Sequence, residues 1–178
     1  MKKKRVFLEE FRLVFLNTTP YFHWLNNSKN IKYIASEKLE HKNLKIKYKI
    51  VIKYLLNIIK SKNDFLFLIR DNNKVPIGTI KIGHIDWYHK RGDLGILIDQ
   101  KYQGRGYGAE AVSLLIKYSF KILKLNKITG GCLKKNIPMR RIFLKNKFRQ
   151  EGLHKNHTRF KNKFLDHVSY GLLKKNIL

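Results

Sequence analysis

Cysteine, proline and carboxylates are scarce in this sequence: 178 residues hold one Cys, three Pro and twelve Asp and Glu together. A lone Cys132 permits no intramolecular disulfide and no multi-cysteine metal site, so no metal is expected, and a reducing cytoplasm is the expected compartment. Pro20, Pro76 and Pro138 each fall at an element boundary rather than in a Pro-rich linker, and no internal repeat divides the chain. A single domain over residues 1–178 is therefore expected. No run of about 18 uncharged apolar residues occurs, so no membrane span is expected. Residues 1–5 lead through Val6-Phe7-Leu8 directly into Glu9-Glu10, unlike a secretory signal.

Against those twelve carboxylates stand 39 Lys and Arg, a net charge of +27. Counterion release makes such a surface attractive to a polyanion, nucleic acid among them. Lysine, however, supplies most of the basic residues and is spread over every segment beside abundant Asn and Ile, as an AT-rich coding sequence would produce. Neither clustered Arg nor aromatic stacking positions framed by basic residues mark a nucleic-acid reader. Nucleic acid is a partner the sequence allows without favouring. The same field favours an anionic substrate or a phosphate-bearing cofactor.

A hydrophobic fraction of 43% and a charged fraction of 29% suit a chain with a packed core. Apolar periodicity predicts a mixed α/β order. Residues 11–16 read as a strand, and a short helix capped by Thr18 or Thr19, with Pro20 in its first turn, runs through Trp24-Leu25. Residues 44–59 repeat apolar positions at helical spacing. Strands over 64–70 and 75–87 form a hairpin about the turn 71–74. Then follow a strand at 93–98, an amphipathic helix at 106–123, a strand at 127–133 and a second helix at 137–145. A further strand begins near Phe148, and the last passes through 166–173 with Val168, Tyr170 and Leu172 alternating.

The turn Gln103-Gly104-Arg105-Gly106-Tyr107-Gly108-Ala109 lies between a strand and a helix. Its three alternating glycines let backbone N–H groups approach a ligand, and the helix start adds unpaired amides and the positive end of its dipole. Such a turn can hold a pyrophosphate, with Arg105 adding a charge-assisted contact. The G-x-G-x-G spacing departs from the dinucleotide fingerprint, residues 121–135 hold no acid, and no Gly-Lys-Ser/Thr follows.

With Gln103, Gly106 and Gly108 so spaced, the turn resembles the signature of the GNAT superfamily of N-acetyltransferases. Leu94 to Ile98 stands where that family's fourth strand splays, and residues 136–148 are similar to its second signature, an Asn followed by a helix ending in a Lys-x-Gly-Phe turn. Residues 151–173 are similar to the closing strand of the ribosomal-protein and nucleotide-amino-sugar branches. The resemblance covers the chain from about Phe65 onward. It implies a mixed, mostly antiparallel central sheet splayed at the fourth strand and flanked by helices, with acetyl-CoA as co-substrate. It further implies that Ile96, Leu97 and Ile98 meet the pantetheine arm, that residues 103–109 cradle the pyrophosphate, and that Asn136 hydrogen-bonds the pantetheine.

Acetyl transfer to an amine needs a deprotonated nucleophile, a polarised carbonyl and an exit for the proton. Many relatives protonate the leaving thiolate with a Tyr where this chain carries Phe143, and the glutamate base of the ribosomal-protein branch falls on Gly131. The catalytic candidates are instead Asp93, which would suit a base if buried, and His84, a proton shuttle near Asp86 and His89. Cys132 reads as a small buried strand residue, and Trp24, Trp87 and Tyr88 as core aromatics. The expected activity is acetylation of a small-molecule primary amine, an amino sugar on a nucleotide carrier ahead of a protein N-terminus. A basic nucleic-acid-binding module and an inactive acyl-CoA-binding relative are the alternatives.

Overall fold

The computed structural model describes residues 5–27, 30, 48–160 and 162–177. Its strands are β1 (Val6–Glu10), β2 (Phe65–Asp71), β3 (Pro76–Asp86), β4 (Arg91–Ile98), β5 (Lys127–Leu133), β6 (Arg149–Phe160) and β7 (Lys163–Leu173). They form one sheet in the order β1-β2-β3-β4-β5-β7-β6, antiparallel at every junction except β4 with β5. The helices are α1 (Phe15–Thr18), α2 (Tyr21–Asn26), α3 (Tyr48–Lys60), α4 (Tyr107–Lys121) and α5 (Ile137–Lys145).

The period of two along each strand sorts the apolar residues onto two faces. On β2, Phe67 and Ile69 join the larger core with Leu115 and Phe120 of α4 and Phe143 of α5. Leu66 and Leu68 point the other way, into a second core with Phe15, Trp24 and Leu55 from α1, α2 and α3. Fully burying a side chain such as Leu55 or Leu68 stabilises the fold by roughly 1.5–3 kcal/mol each, and both are 0% exposed. Thus α4 and α5 cover one face of the sheet, while the amino-terminal helices cover the β2 side of the other.

Two features of the amino-terminal region depart from the sequence expectation. Residues 11–16 are not a strand: the strand is the preceding Val6–Glu10, whose two carboxylates mask its pattern. Phe11 and Phe15 are buried together at a spacing of four, the helical period, with ring centroids 5.8 Å apart. The short helix after Pro20 is present, yet neither threonine caps it; Thr19 Oγ1 donates back to the Phe15 carbonyl at 2.6 Å. Residues 44–47 of the expected helix lie outside the described residues, and Tyr48–Lys60 confirms the rest.

Candidate active site

β4 and β5 pair only through Arg91–Lys127, Gly92–Ile128 and Asp93–Thr129. Beyond Asp93 no further residue pair joins the two strands. The main chain of residues 94–98 loses its β5 partner, so its polar groups on that edge are open to a ligand. The opening is a cleft of about 710 Å³, lined by Ile96, Leu97 and Ile98 on one wall and by Cys132 and Asn136 on the other. A side chain at Gly95 would meet no protein atom within 4 Å.

The glycine-rich turn closes one end of this cleft. Gly104 (φ 75°) and Gly106 (φ 87°) occupy left-handed backbone that side chains disfavour, and Gly106 is the N-cap of α4. The first helical hydrogen bond runs from Glu110 N–H to the Gly106 carbonyl, so the amides of Tyr107, Gly108 and Ala109 have no intrahelical acceptor and present the positive end of a fifteen-residue helix. A Cβ at Gly108 would press on Ile142 at 3.0 Å, which lets α4 start close against α5. Gln103 lines the cleft and also holds the turn: its Nε2 donates to the Ile98 carbonyl at 2.9 Å and to Asn30 Oδ1 at 2.8 Å. Arg105 is exposed, and neither it nor Tyr107 lines the cleft.

Arg5 was not legible as a site residue. From the start of β1 its guanidinium ion-pairs with Glu110, donates to the Arg105 carbonyl at 3.0 Å and lies 5.1 Å from the Tyr107 ring centroid. It crosses Gly106 so closely that a Cβ there would meet Nη2 at 2.9 Å. Arg141 and Lys145 of α5 line the cleft, which Arg5 does not, and bring positive charge to it. Asn136 both lines the cleft and caps α5, accepting from Met139 N–H at 3.2 Å.

The catalytic candidates separate. Asp93 sits at the last paired position before the strands part, exposed and just outside the cleft lining, with Oδ1 accepting from Thr129 Oγ1 at 2.5 Å. His84 (φ 48°) lies in the bulge between β3 and β4, exposed, its backbone N–H on Asp64 at 3.2 Å, and it does not line the cleft. Phe143 is 0% exposed and stacked on Tyr170 with ring centroids 4.7 Å apart. Cys132 is buried as expected, and burial pushes its thiol up to about 11, so it stays protonated beside the cleft. Trp24 is buried in the second core, whereas Trp87 and Tyr88 are exposed near the tip of the β3–β4 hairpin, where no layer covers them.

On the face opposite α4 and α5, alternation places Asp93, Thr129, Gly131 and His167 together at the mouth of the splay. His167 lines the cleft and was missed because only the pairing of β7 with β5 brings it there.

A single parallel junction splays after three residue pairs, with a glycine turn and a helix start at its end, as the family resemblance implies. The sequence profile of the acetyltransferase (GNAT) domain matches residues 5–149. The chain belongs to the GNAT family. As a GNAT enzyme it is an acetyl-CoA-dependent N-acetyltransferase. It is similar to the uncharacterised N-acetyltransferase YnaD of Bacillus subtilis, 27% identical over 178 residues that span 96% of this chain and 94% of that one. A spermidine N(1)-acetyltransferase of Vibrio cholerae is 29% identical over 110 residues, 61% of this chain and 60% of the relative. The crystal structure of a Vibrio cholerae spermidine N-acetyltransferase in complex with CoA and spermine superimposes with a TM-score of 0.84 at 21% identity, covering 97% of this chain and 98% of that one. The two of these neighbours named for a substrate are spermidine acetyltransferases, and neither belongs to the ribosomal-protein or nucleotide-amino-sugar branch.

Proposed function

We propose that this GNAT enzyme acetylates a primary amine on a small molecule that also carries negative charge, with an amino sugar on a nucleotide carrier as the fitting chemistry. The observation that carries this reading is the charge: +27 over the chain, with Arg141 and Lys145 at the cleft itself. Such a field concentrates anions and repels polycations. Asp93 is the carboxylate nearest the splay, and it orients an incoming ammonium. The turn from Gly104 to Ala109 and the α4 amides hold the acetyl-CoA pyrophosphate, and the open edge of β4 holds the pantetheine arm alongside Asn136.

Spermidine is the second reading, supported by the spermidine acetyltransferases among the relatives. Thiol release from acetyl-CoA, measured across nucleotide-linked amino sugars, spermidine and amino-terminal peptides, separates them. A nucleotide amino sugar with a kcat/KM at least tenfold above the others is the expected result. Preference for spermidine would replace the first reading by the second, and turnover of a peptide alone would return the protein N-terminus.

A further inference from the structure

We infer that His167 is the proton acceptor for the amine, supplying from β7 the base that Gly131 cannot supply from β5. This rests on the acetyl-transfer reading above. A Cβ built on Gly131 would lie 2.2 Å from His167 Cε1 and 3.0 Å from Nε2. The imidazole therefore occupies the space into which a side chain at 131 would project, and glycine is the residue that admits it. The ring lines the acetyl-CoA cleft on the face where Asp93 stands. Burial first, then the neighbouring His157 and His154, hold its pKa below the ordinary histidine value, with Asp93 opposing them. His167 is consequently neutral at pH 7 and free to take a proton.

Two further imidazoles continue the path outward. Ring centroids lie 5.7 Å apart for His157 and His167, 5.2 Å for His154 and His157, and 6.3 Å for His154 and His167, with His154 Nε2 3.1 Å from Ser169 Oγ. Residues three apart on a regular strand face opposite ways. The irregularity between His154 and Thr158, with Asn156 at φ 49°, brings both histidines to one side. Both are exposed, so they connect the half-buried His167 to solvent.

In the reaction, the substrate ammonium gives one proton to His167, and the freed nitrogen lone pair forms the bond to the acetyl carbonyl carbon. The carbon–sulfur bond breaks, the sulfur leaves with its electron pair, and it takes the second proton lost by nitrogen. His167 passes the first proton outward by way of His157 and His154. The net products are the N-acetyl amide, CoA thiol and one proton.

The test uses the full chain. His167→Gln is expected to keep the thermal stabilisation by CoA, lower kcat on the best amine of the panel by about 10²-fold, and remove the acid limb of the kcat/KM–pH profile. In His167→Ala, added imidazole is expected to recover turnover, which a packing role would not allow. Undiminished kcat with an unchanged acid limb in His167→Gln would overturn the assignment, as would a His167→Ala enzyme that binds CoA but is not rescued. Failure of the acetyl-transfer reading looks different: the wild-type chain would show no stabilisation by CoA.

Discussion

Phe143 stands where the family resemblance implies a phenol, and its neighbours decide what a hydroxyl there would do. The Phe143 Cζ, the atom that would carry it, lies 2.9 Å from a Cβ built on Gly130, and the ring is wedged between Tyr170 and Phe148 at centroid distances of 4.7 and 5.1 Å. Phe143→Tyr therefore adds a polar atom to a full, apolar place. Urea unfolding is expected to show a loss of about 1–3 kcal/mol, and thiol release no gain in turnover. Asp93 and His84, the two residues that sequence spacing nominated, are expected to differ sharply. Asp93→Asn, at the mouth of the splay, should lower kcat/KM for the amine by about tenfold, in the range of a lost charged contact, whereas His84→Ala, in the β3 bulge, should stay within about twofold of wild type. Steady-state kinetics on the same acceptor check both. His167 and Arg5 escaped the sequence reading for a common reason: each reaches the site through contacts with residues distant in sequence, His167 at Gly131 and Arg5 with Glu110.

β5 and α5 emerge with the bounds their local signals imply: an apolar alternation ended at Leu133, then Asn136 accepting from Met139 N–H with Pro138 in the first turn. β1 does not, because its identity depends on pairing with β2 some sixty residues later. Glu9 is the residue that fastens the pair. Its carboxylate accepts from Arg70 Nε at 2.5 Å, and that hydrogen bond holds the carboxyl below the usual glutamate range. A lowered carboxylate pKa means that the unfolded chain binds more protons than the folded one as acid is added. The stabilisation is therefore complete above about pH 4.3, the ordinary value, and is lost as pH falls through the lower, folded value. Glu9→Gln is expected to flatten that acid-side fall in thermal stability; an unaltered fall would show that the pair does not hold β1 in place. The splay itself is an element-scale property: β4 and β5 are joined by three residue pairs, and every further pair that closed would narrow the cleft between them.

Across the whole molecule, charge is the feature the sequence displayed most openly and explained least. An excess of +27 gives a long-range field that fits anionic acceptors and opposes polyamines, even though the fold matches a spermidine acetyltransferase closely. Raising ionic strength from about 0.02 to 0.5 M shortens the screening length from some 20 Å to about 4 Å. It should lower kcat/KM several-fold for a nucleotide-linked amine and raise it for spermidine, a pair of opposite slopes readable in one titration series. Acetyl-CoA, an anion under either reading, should bind more weakly as salt increases. Every step of the proposed reaction depends on acetyl-CoA lying on the glycine turn. Calorimetric titration of acetyl-CoA into the wild-type chain and into Gly106→Val tests this most directly, since a β-branched residue at φ 87° must both strain the turn and displace Arg5. Saturable one-site binding by the wild type, weakened at least tenfold in a variant that remains folded, is the predicted result; equal affinity in the two would contradict the placement of acetyl-CoA on the glycine turn.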